Sequence, residues 1–273
     1  MSTRTATPKL RACYVISLRP VGGHASMRRA AAAHGAKVLA LSPWRIEPRR
    51  DAAARAALRE ALAADVVLFT SPAAVRAAAA LRTLRPRRGQ PWLATGAGTA
   101  AALRRVGVED VSAPARMDSE GVLALPALAD VRGRRIALVT APGGRNLIAP
   151  TLVARGARVL RADVYERVPV APSPQTLARL ERLRAPTCLA LGSGEALRRV
   201  LEALPGALQA RLRRVRVVAA SARLAQQARE SGFGDVVVAA DARPRSLLAA
   251  AANGPPPRSP SDSMRSPPRP SRR

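Results

Sequence analysis

The chain has 273 residues, room for about two domains at roughly 100 to 200 residues each, and 48% of them are apolar although only 2% are aromatic. Ala, Leu and Val carry the apolar share, which suits helices packed on buried aliphatic strands and makes α/β the expected class. The 46 Lys and Arg against 18 Asp and Glu give a formal charge of +28. The segment from Asn253 onward holds five arginines and one aspartate, a contribution of +4 that leaves +24 on the rest. Such a surface attracts polyanions, whether nucleic acid, anionic membrane or an acidic small molecule. Nucleic-acid readers, however, add aromatic platforms or a recognisable reading element, and the arginines here are scattered along helix-like segments, as at Arg28, Arg55, Arg82, Arg104 and Arg198. Solvated helix faces account for most of them. Two cysteines, Cys13 and Cys188, give neither a disulfide framework nor zinc spacing and read as buried free thiols. No signal-peptide core precedes Tyr14 and no apolar run approaches membrane-span length, so a soluble cytoplasmic protein is expected.

In chain order, short β-like runs alternate with Ala/Arg/Leu-rich helical stretches, the pattern of a parallel sheet with helices on its faces. Strands are expected at 13–17, 38–41, 66–70, 92–95, 136–140, 159–162, 188–191, 215–219 and 236–239, with helices between them. Two segments break the alternation. Residues 43–48 and 164–169 are extended and proline-bounded, since proline biases its predecessor toward β geometry. About one domain of chain lies between them. They suit a two-stranded connector at 44–48 and 164–169 between a discontinuous first domain, 1–43 with 170–252, and an inserted second domain, 49–163. From Asn253 to Arg273 the chain is Pro, Ser and Arg, too poor in apolar surface to offset ordering entropy, and is expected to be disordered.

Several strand-to-helix turns carry small polar residues. After the strand at 66–70, Ser71 precedes Pro72, which suits a first helical turn. Ser71 is a natural N-cap, and free N–H groups at such a terminus bind carboxylates or phosphates. Residues 94–101 contain Gly-x-Gly-x-x-Ala directly after a strand, with Asp118 near where a ribose-binding acid would be sought. Asp118 ends no convincing strand, so the turn reads as one that presents Thr99 to some other anion. The Gly-rich turn at 140–145 lacks the Lys-Ser/Thr pair of a P-loop. Turns at 191–195, with Ser193, and at 219–223, with Ser221 and Arg223, repeat the arrangement. Together they suit a ligand carrying many carboxylates. His24 and His34 have no partner spacing for metal or for a nucleophile relay, and Tyr165, one of two tyrosines, reads on its own as structural.

The run Val15-Ile16-Ser17-Leu18-Arg19-Pro20, the segment 69–75, Gly96-x-x-Thr99-Ala100, Ser119-Glu120-Gly121-Val122-Leu123, Gly156-Ala157 and Val164-Tyr165-Glu166 follow one another in an order and spacing that resembles uroporphyrinogen-III synthase over residues 14–252. The resemblance implies two parallel-sheet α/β domains joined by a two-stranded connector, the second inserted into the first. It also implies a cleft between them for hydroxymethylbilane, an open tetrapyrrole with eight carboxylates. The implied reaction is a cofactor-free, metal-free cyclisation: the terminal hydroxyl leaves as water, an azafulvene cation closes through a spiro intermediate, and the last pyrrole ring is inverted. Tyr165 inherits assistance to the departing hydroxyl. Arg19, Ser71, Gly96, Thr99, Ser193, Ser221 and Arg223 become the candidate substrate-binding residues.

Leu18 stands where many family members have threonine, Ala73 replaces a common asparagine, and Ser221 with Arg223 forms a Ser-x-Arg variant of a Gly-x-x-Thr turn. The implied partners are the substrate and, as a further candidate, the preceding hydroxymethylbilane synthase, with no nucleic acid, no membrane and a monomeric chain. The competing class is a non-catalytic two-domain binding protein for an anionic ligand or nucleic acid.

Overall fold

The computed structural model describes residues 10–116, 118–143 and 147–253, together with Pro257, Ser259 and Pro260. Most of the expected disordered tail, and Arg145 of the third Gly-rich turn, lie outside the described residues. The chain forms two compact units, Met1–Arg45 with Pro169–Arg273 (unit 1) and Ile46–Val168 (unit 2). Unit 1 opens with β1 (Tyr14–Ser17), α1 (Ala25–Ala32) and β2 (Lys37–Ala40), and β3 (Trp44–Pro48) carries the chain onward. Unit 2 runs through α2 (Ala52–Leu62), β4 (Val66–Phe69), α3 (Pro72–Leu81), β5 (Trp92–Ala94), α4 (Ala97–Arg104), α5 (Ser119–Leu123), β6 (Arg135–Thr140), α6 (Ile148–Ala154) and β7 (Arg158–Asp163). The returning strand β8 (Tyr165–Pro169) pairs with β3 in a two-stranded sheet. Unit 1 then resumes with α7 (Pro174–Arg182), β9 (Thr187–Leu191), α8 (Gly194–Ala203), α9 (Gly206–Leu212), β10 (Arg216–Ala219), α10 (Ala222–Glu230), β11 (Val236–Val238) and α11 (Pro244–Ala252). Each expected strand is present, with ends within one residue of their expected places. Among the described residues no helix is long and apolar enough to cross a membrane.

The unit 2 sheet has strand order β5-β4-β6-β7 and is parallel throughout. Side chains alternate between faces along a strand, and the two faces bury separate clusters. Val67, Phe69, Ala137 and Val139 meet Leu58, Val75, Ala78 and Leu103 from α2, α3 and α4. Val66, Leu68, Ile136 and Leu138 meet Val122, Leu128 and Leu152 on the opposite face. All four residues of β4 are buried, which is why this run reads as continuously apolar rather than alternating. Burying a side chain such as Leu68 contributes about 1.5–3 kcal/mol. Trp92 and Phe69 add a tilted ring pair, centroids 5.2 Å apart.

The unit 1 sheet has order β11-β10-β9-β1-β2, likewise parallel. One face packs Val15, Cys188, Ala190 and Val218 against Met27 and Ala31 of α1 and Leu247, Leu248 and Ala251 of α11. Trp44, at the start of β3, is buried as well.

Polar residues at the turns fix the helix starts. Asp51, Ser71, Asp118, Ser173, Ser193 and Ser221 each accept a first-turn backbone N–H, for α2, α3, α5, α7, α8 and α10 respectively, each worth about 1 kcal/mol. Arginines close other backbone gaps. Arg87 donates to the carbonyls of Ala63 and Ala64, Arg155 to those of Leu123 and Leu128, and Arg211 to those of Leu180 and Leu183. A planar guanidinium presents several donors in a fixed fork and reaches two carbonyls at once, which an ammonium does less well.

Gly121 has a steric reason to be glycine: a Cβ there would lie 2.0 Å from the Arg116 carbonyl oxygen. A Cβ at Gly98 would meet only Pro72 Cγ, at 3.8 Å. Gly121→Ala should therefore lose stability by roughly 1–3 kcal/mol through forced backbone displacement. Gly98→Ala should be neutral or up to about 1 kcal/mol more stable. Urea unfolding of the two variants checks the contrast, and equal midpoints would refute it.

Candidate functional site

In unit 2 the chain passes from β4 outward to β5 and then returns to β6 on the other side of β4. The loops that follow β4 and β6 diverge at this reversal, where open parallel sheets leave a crevice at their carboxyl ends. A pocket of ≈ 490 Å³ opens there. Thr70 and Ser71 from the end of β4, Thr95 from the end of β5, Thr140 and Gly143 after β6, Arg161 on β7, and Tyr165 and Arg167 on β8 line it.

Its hydroxyls form an ordered set. Thr70 Oγ1 donates to Thr140 Oγ1 at 2.7 Å, and Thr95 Oγ1 donates to the Thr70 carbonyl at 3.0 Å. Ser71 Oγ accepts the Ala74 N–H at 3.0 Å and lies 3.1 Å from the Tyr165 hydroxyl. The Tyr165 ring belongs to the apolar cluster under α2, α3 and α4, leaving the residue 3% exposed. Its body is thus held by packing and its polar tip by Ser71. Arg161 is engaged with Asp163 and with the Ala141 carbonyl.

The helix starts supply further donors. In α3 the Ala74 N–H goes to Ser71 Oγ and that of Val75 to the Ser71 carbonyl. Pro72 has no N–H, so Ala73 keeps the one first-turn donor without an intrahelical partner. In α4 the N–H groups of Thr99 and Ala100 bond back to Gly96, which leaves those of Ala97 and Gly98 open. Gly98 lies beside Pro72, so the two helix starts are neighbours. Ser71 and Thr95, which line the pocket, stand at the starts of α3 and α4, so hydroxyls and helix N-termini come together at its edge, an arrangement that favours anions.

Of the residues expected from the sequence, Ser71 and Tyr165 are brought together in this pocket. Gly96 is the N-cap of α4, but Thr99 is only 4% exposed and does not line the pocket; as the third residue of α4 it turns into the core. Asp118 caps α5 through the Gly121 N–H at 2.7 Å and pairs with Arg116, so its carboxylate is committed to that turn rather than to a ribose. Arg19, Ser193, Ser221 and Arg223 belong to unit 1. There Ser193 and Ser221 cap α8 and α10, Arg223 is exposed, and burial lowers the Arg19 guanidinium from its ordinary range. Thr70, Thr95, Thr140 and Arg161 were not singled out individually from the sequence. Their signal was position: each hydroxyl stands at or just past the end of a buried strand. Among the described residues no group of three His, Cys, Asp or Glu is placed to hold a metal ion.

His24, which has no local partner in the sequence, has two in space. Its Nδ1 lies 3.0 Å from Ser17 Oγ and its Nε2 2.8 Å from Ser42 Oγ, and the residue is 3% exposed. Burial above all, then the charges of Arg28 and Arg19, push its pKa down to about 4, so the ring is neutral at pH 7.

Residues 25–249 match the family model described as Uroporphyrinogen-III synthase HemD. Among curated proteins, the uroporphyrinogen-III synthase of Salmonella typhimurium is 36% identical over 172 residues, covering 60% of this chain and 70% of its own length. That of Escherichia coli is 35% identical over 161 residues, covering 58% and 65%; the matched part thus spans about two thirds of these relatives. Among solved structures, a mutant uroporphyrinogen III synthase from Thermus thermophilus aligns with 87% of this chain and 96% of its own, at TM-score 0.58 and 24% identity. Uroporphyrinogen-III synthetase from Helicobacter pylori aligns with 88% and 98%, at TM-score 0.56 and 14% identity. These two share the α/β fold.

The depressed His24 pKa sets a pH signature of stability. Between about pH 6.5 and pH 4 the unfolded chain binds a proton on His24 that the native state does not. The contribution is therefore fully present above about pH 6.5 and is lost as pH falls toward 4. His24→Gln should flatten the urea midpoint across that window; a slope unchanged by the substitution would assign the dependence to other groups.

Proposed function

Because the chain belongs to the uroporphyrinogen-III synthase family, we propose that it converts hydroxymethylbilane to uroporphyrinogen III with loss of water, and that the unit 2 pocket holds the reacting end of the substrate. The single observation that carries the site assignment is the Tyr165 hydroxyl, fixed on Ser71 at the carboxyl edge of a parallel sheet. Hydroxide is a poor leaving group, so the terminal C–O bond breaks more readily as the oxygen receives a proton. Tyr165 supplies that proton, and the pyrrole nitrogen supplies the electrons that replace the C–O bond, giving the azafulvene cation. Attack by the substituted carbon of the last ring forms the spiro intermediate, and reopening and closure at the free position complete the inversion. Loss of the ring proton at the end returns Tyr165 to its starting state, so the reaction balances as substrate to macrocycle plus water.

Positioning does the rest. The substituted carbon wins over the free one only if the chain is held in a near-attack arrangement, and carboxylates along the tetrapyrrole give the protein its handholds. The open N–H groups of Ala73, Ala97 and Gly98 and the hydroxyl of Thr140, whose own proton is not given to Thr70, serve in unit 2. Arg19, Ser193, Ser221 and Arg223 serve in unit 1. The division of the chain follows the scheme of a discontinuous first domain (1–43 and 170–252), a connector (44–48 and 164–169) and an inserted domain (49–163). This reading is supported by the two compact units and by the pairing of β3 with β8. A monomer in the cytoplasm, taking substrate from hydroxymethylbilane synthase, completes it. The pair of free, buried cysteines suits a reducing location. The non-catalytic alternative is not favoured by the family assignment.

Hydroxymethylbilane generated enzymatically, exposed to the protein, oxidised and resolved by chromatography should give mainly isomer III. Isomer I at the level of the protein-free control would reject the activity. In Tyr165→Phe the ring and its packing remain while the proton donor is lost, so kcat should fall by about 10² to 10⁴ with isomer III still the product. Undiminished turnover would make Tyr165 structural, and a change to isomer I would make it a positioning group.

A further inference from the structure

We propose that Ser71 is a positioning residue whose hydroxyl donates a hydrogen bond to the Tyr165 oxygen and so leaves the tyrosine proton directed into the pocket. This rests on the reading of Tyr165 as the proton donor, and it assigns Ser71 a task other than binding a carboxylate. A serine hydroxyl has one proton and two lone pairs. The Ala74 N–H occupies one lone pair of Ser71 Oγ at 3.0 Å, and the Tyr165 hydroxyl stands 3.1 Å away. Among the described residues these are the partners of the Ser71 hydroxyl, and Ser71 Oγ is the partner of the Tyr165 hydroxyl.

Two arrangements satisfy that geometry. Either Tyr165 donates to the second lone pair of Ser71 and the serine proton faces the pocket, or Ser71 donates to Tyr165 and the phenolic proton faces it. The task of the tyrosine decides between them. A Tyr165 that protonates the departing oxygen needs its one proton in the pocket, and a serine proton on the phenolic oxygen stabilises the phenolate as that proton leaves. The Ala74 N–H accepted at the start of α3 occupies a lone pair and leaves the Ser71 proton free for this. Ser71 therefore donates. The Tyr165 ring is clamped in the apolar cluster, so its proton has a fixed direction.

Substitutions that preserve the cap but change the donor separate this task from simple capping. Asp and Asn are both strong N-caps. Aspartate has no proton to give, so Ser71→Asp forces Tyr165 to donate to the carboxylate. Asparagine caps through its oxygen and donates through its amide, so Ser71→Asn retains the wild-type polarity. In Ser71→Asp kcat should fall toward the Tyr165→Phe value, about 10²-fold or more, with the melting midpoint unchanged, while Ser71→Asn restores most of the loss. Any repulsion of substrate carboxylates by the new charge would appear in KM instead.

A second readout needs no turnover. The chain has two tyrosines, so the ¹³Cζ resonance of Tyr165 is identified by its disappearance in Tyr165→Phe. It should shift in Ser71→Asp and hold in Ser71→Asn. Wild-type kcat in Ser71→Asp at an unchanged melting midpoint would overturn the inference, as would equal losses in the Asp and Asn variants. Failure of the unsubstituted protein to make isomer III would instead reject the activity itself, and the resonance would still report which hydroxyl donates.

Discussion

The parallel pairing of β4 with β6 is the constraint on which the rest of unit 2 depends. The two strands are joined in register from Val66 with Ile136 to Phe69 with Val139, and the Thr70 N–H continues the ladder to the Val139 carbonyl. Because the strands are parallel, both chains leave the sheet at the same edge, so Thr70 and Thr140 emerge side by side. Because the apolar side chains of both strands are buried on two faces, a slip of one residue would exchange the two clusters and expose neither solution to water without penalty. The hydroxyl array of the pocket is thus a by-product of hydrophobic register. Tyr165 then joins it from β8, which begins immediately after β7 and Val164, whose N–H binds the Thr140 carbonyl.

Much of this was legible in the sequence. Runs such as Val-Val-Leu-Phe at β4 are buried on both faces and announce themselves by composition, and Ser71 before Pro72 announces a helix start. Strand ends moved by a residue because the ladder stops where the turn begins, which composition does not mark. What the sequence hid was proximity across the fold. Ser71 and Tyr165 are 94 positions apart, and Ser17 and Ser42 reach His24 only once β1 and β2 are paired. Thr99 shows the opposite case. A Gly-rich turn correctly marked a helix start, but whether its threonine faced ligand or core depended on the rotation of α4, and Ala-rich helices give little periodic signal to fix it.

The arginine excess also looks different in three dimensions. Arg87, Arg155 and Arg211 are tied to backbone carbonyls, Arg135 reaches another at Ala63, and Arg213 one at Ser231. Solvated helix faces explain only part of the charge; another part closes loop ends that serine and aspartate caps do not reach. Neutralising the carbonyl dipoles at these ends costs the protein a high net charge, and that field in turn draws acidic ligands toward both units. Lysine, with a compact ammonium and no fork, would serve the second purpose but not the first, consistent with a chain whose lysines are confined to Lys9 and Lys37.

The placement of the two tryptophans gives the molecule a built-in optical division. Trp92 is buried in unit 2 against Phe69, and Trp44, also buried, opens the strand β3 where the chain leaves unit 1. The chain has these two indoles and no other, so emission from a variant lacking Trp44 reports on unit 2, and emission from one lacking Trp92 reports on the strand β3 and its pairing with β8. Whether unit 2 and the connector sheet melt together or in sequence becomes a question of fluorescence alone, answerable without labels and without touching the pocket.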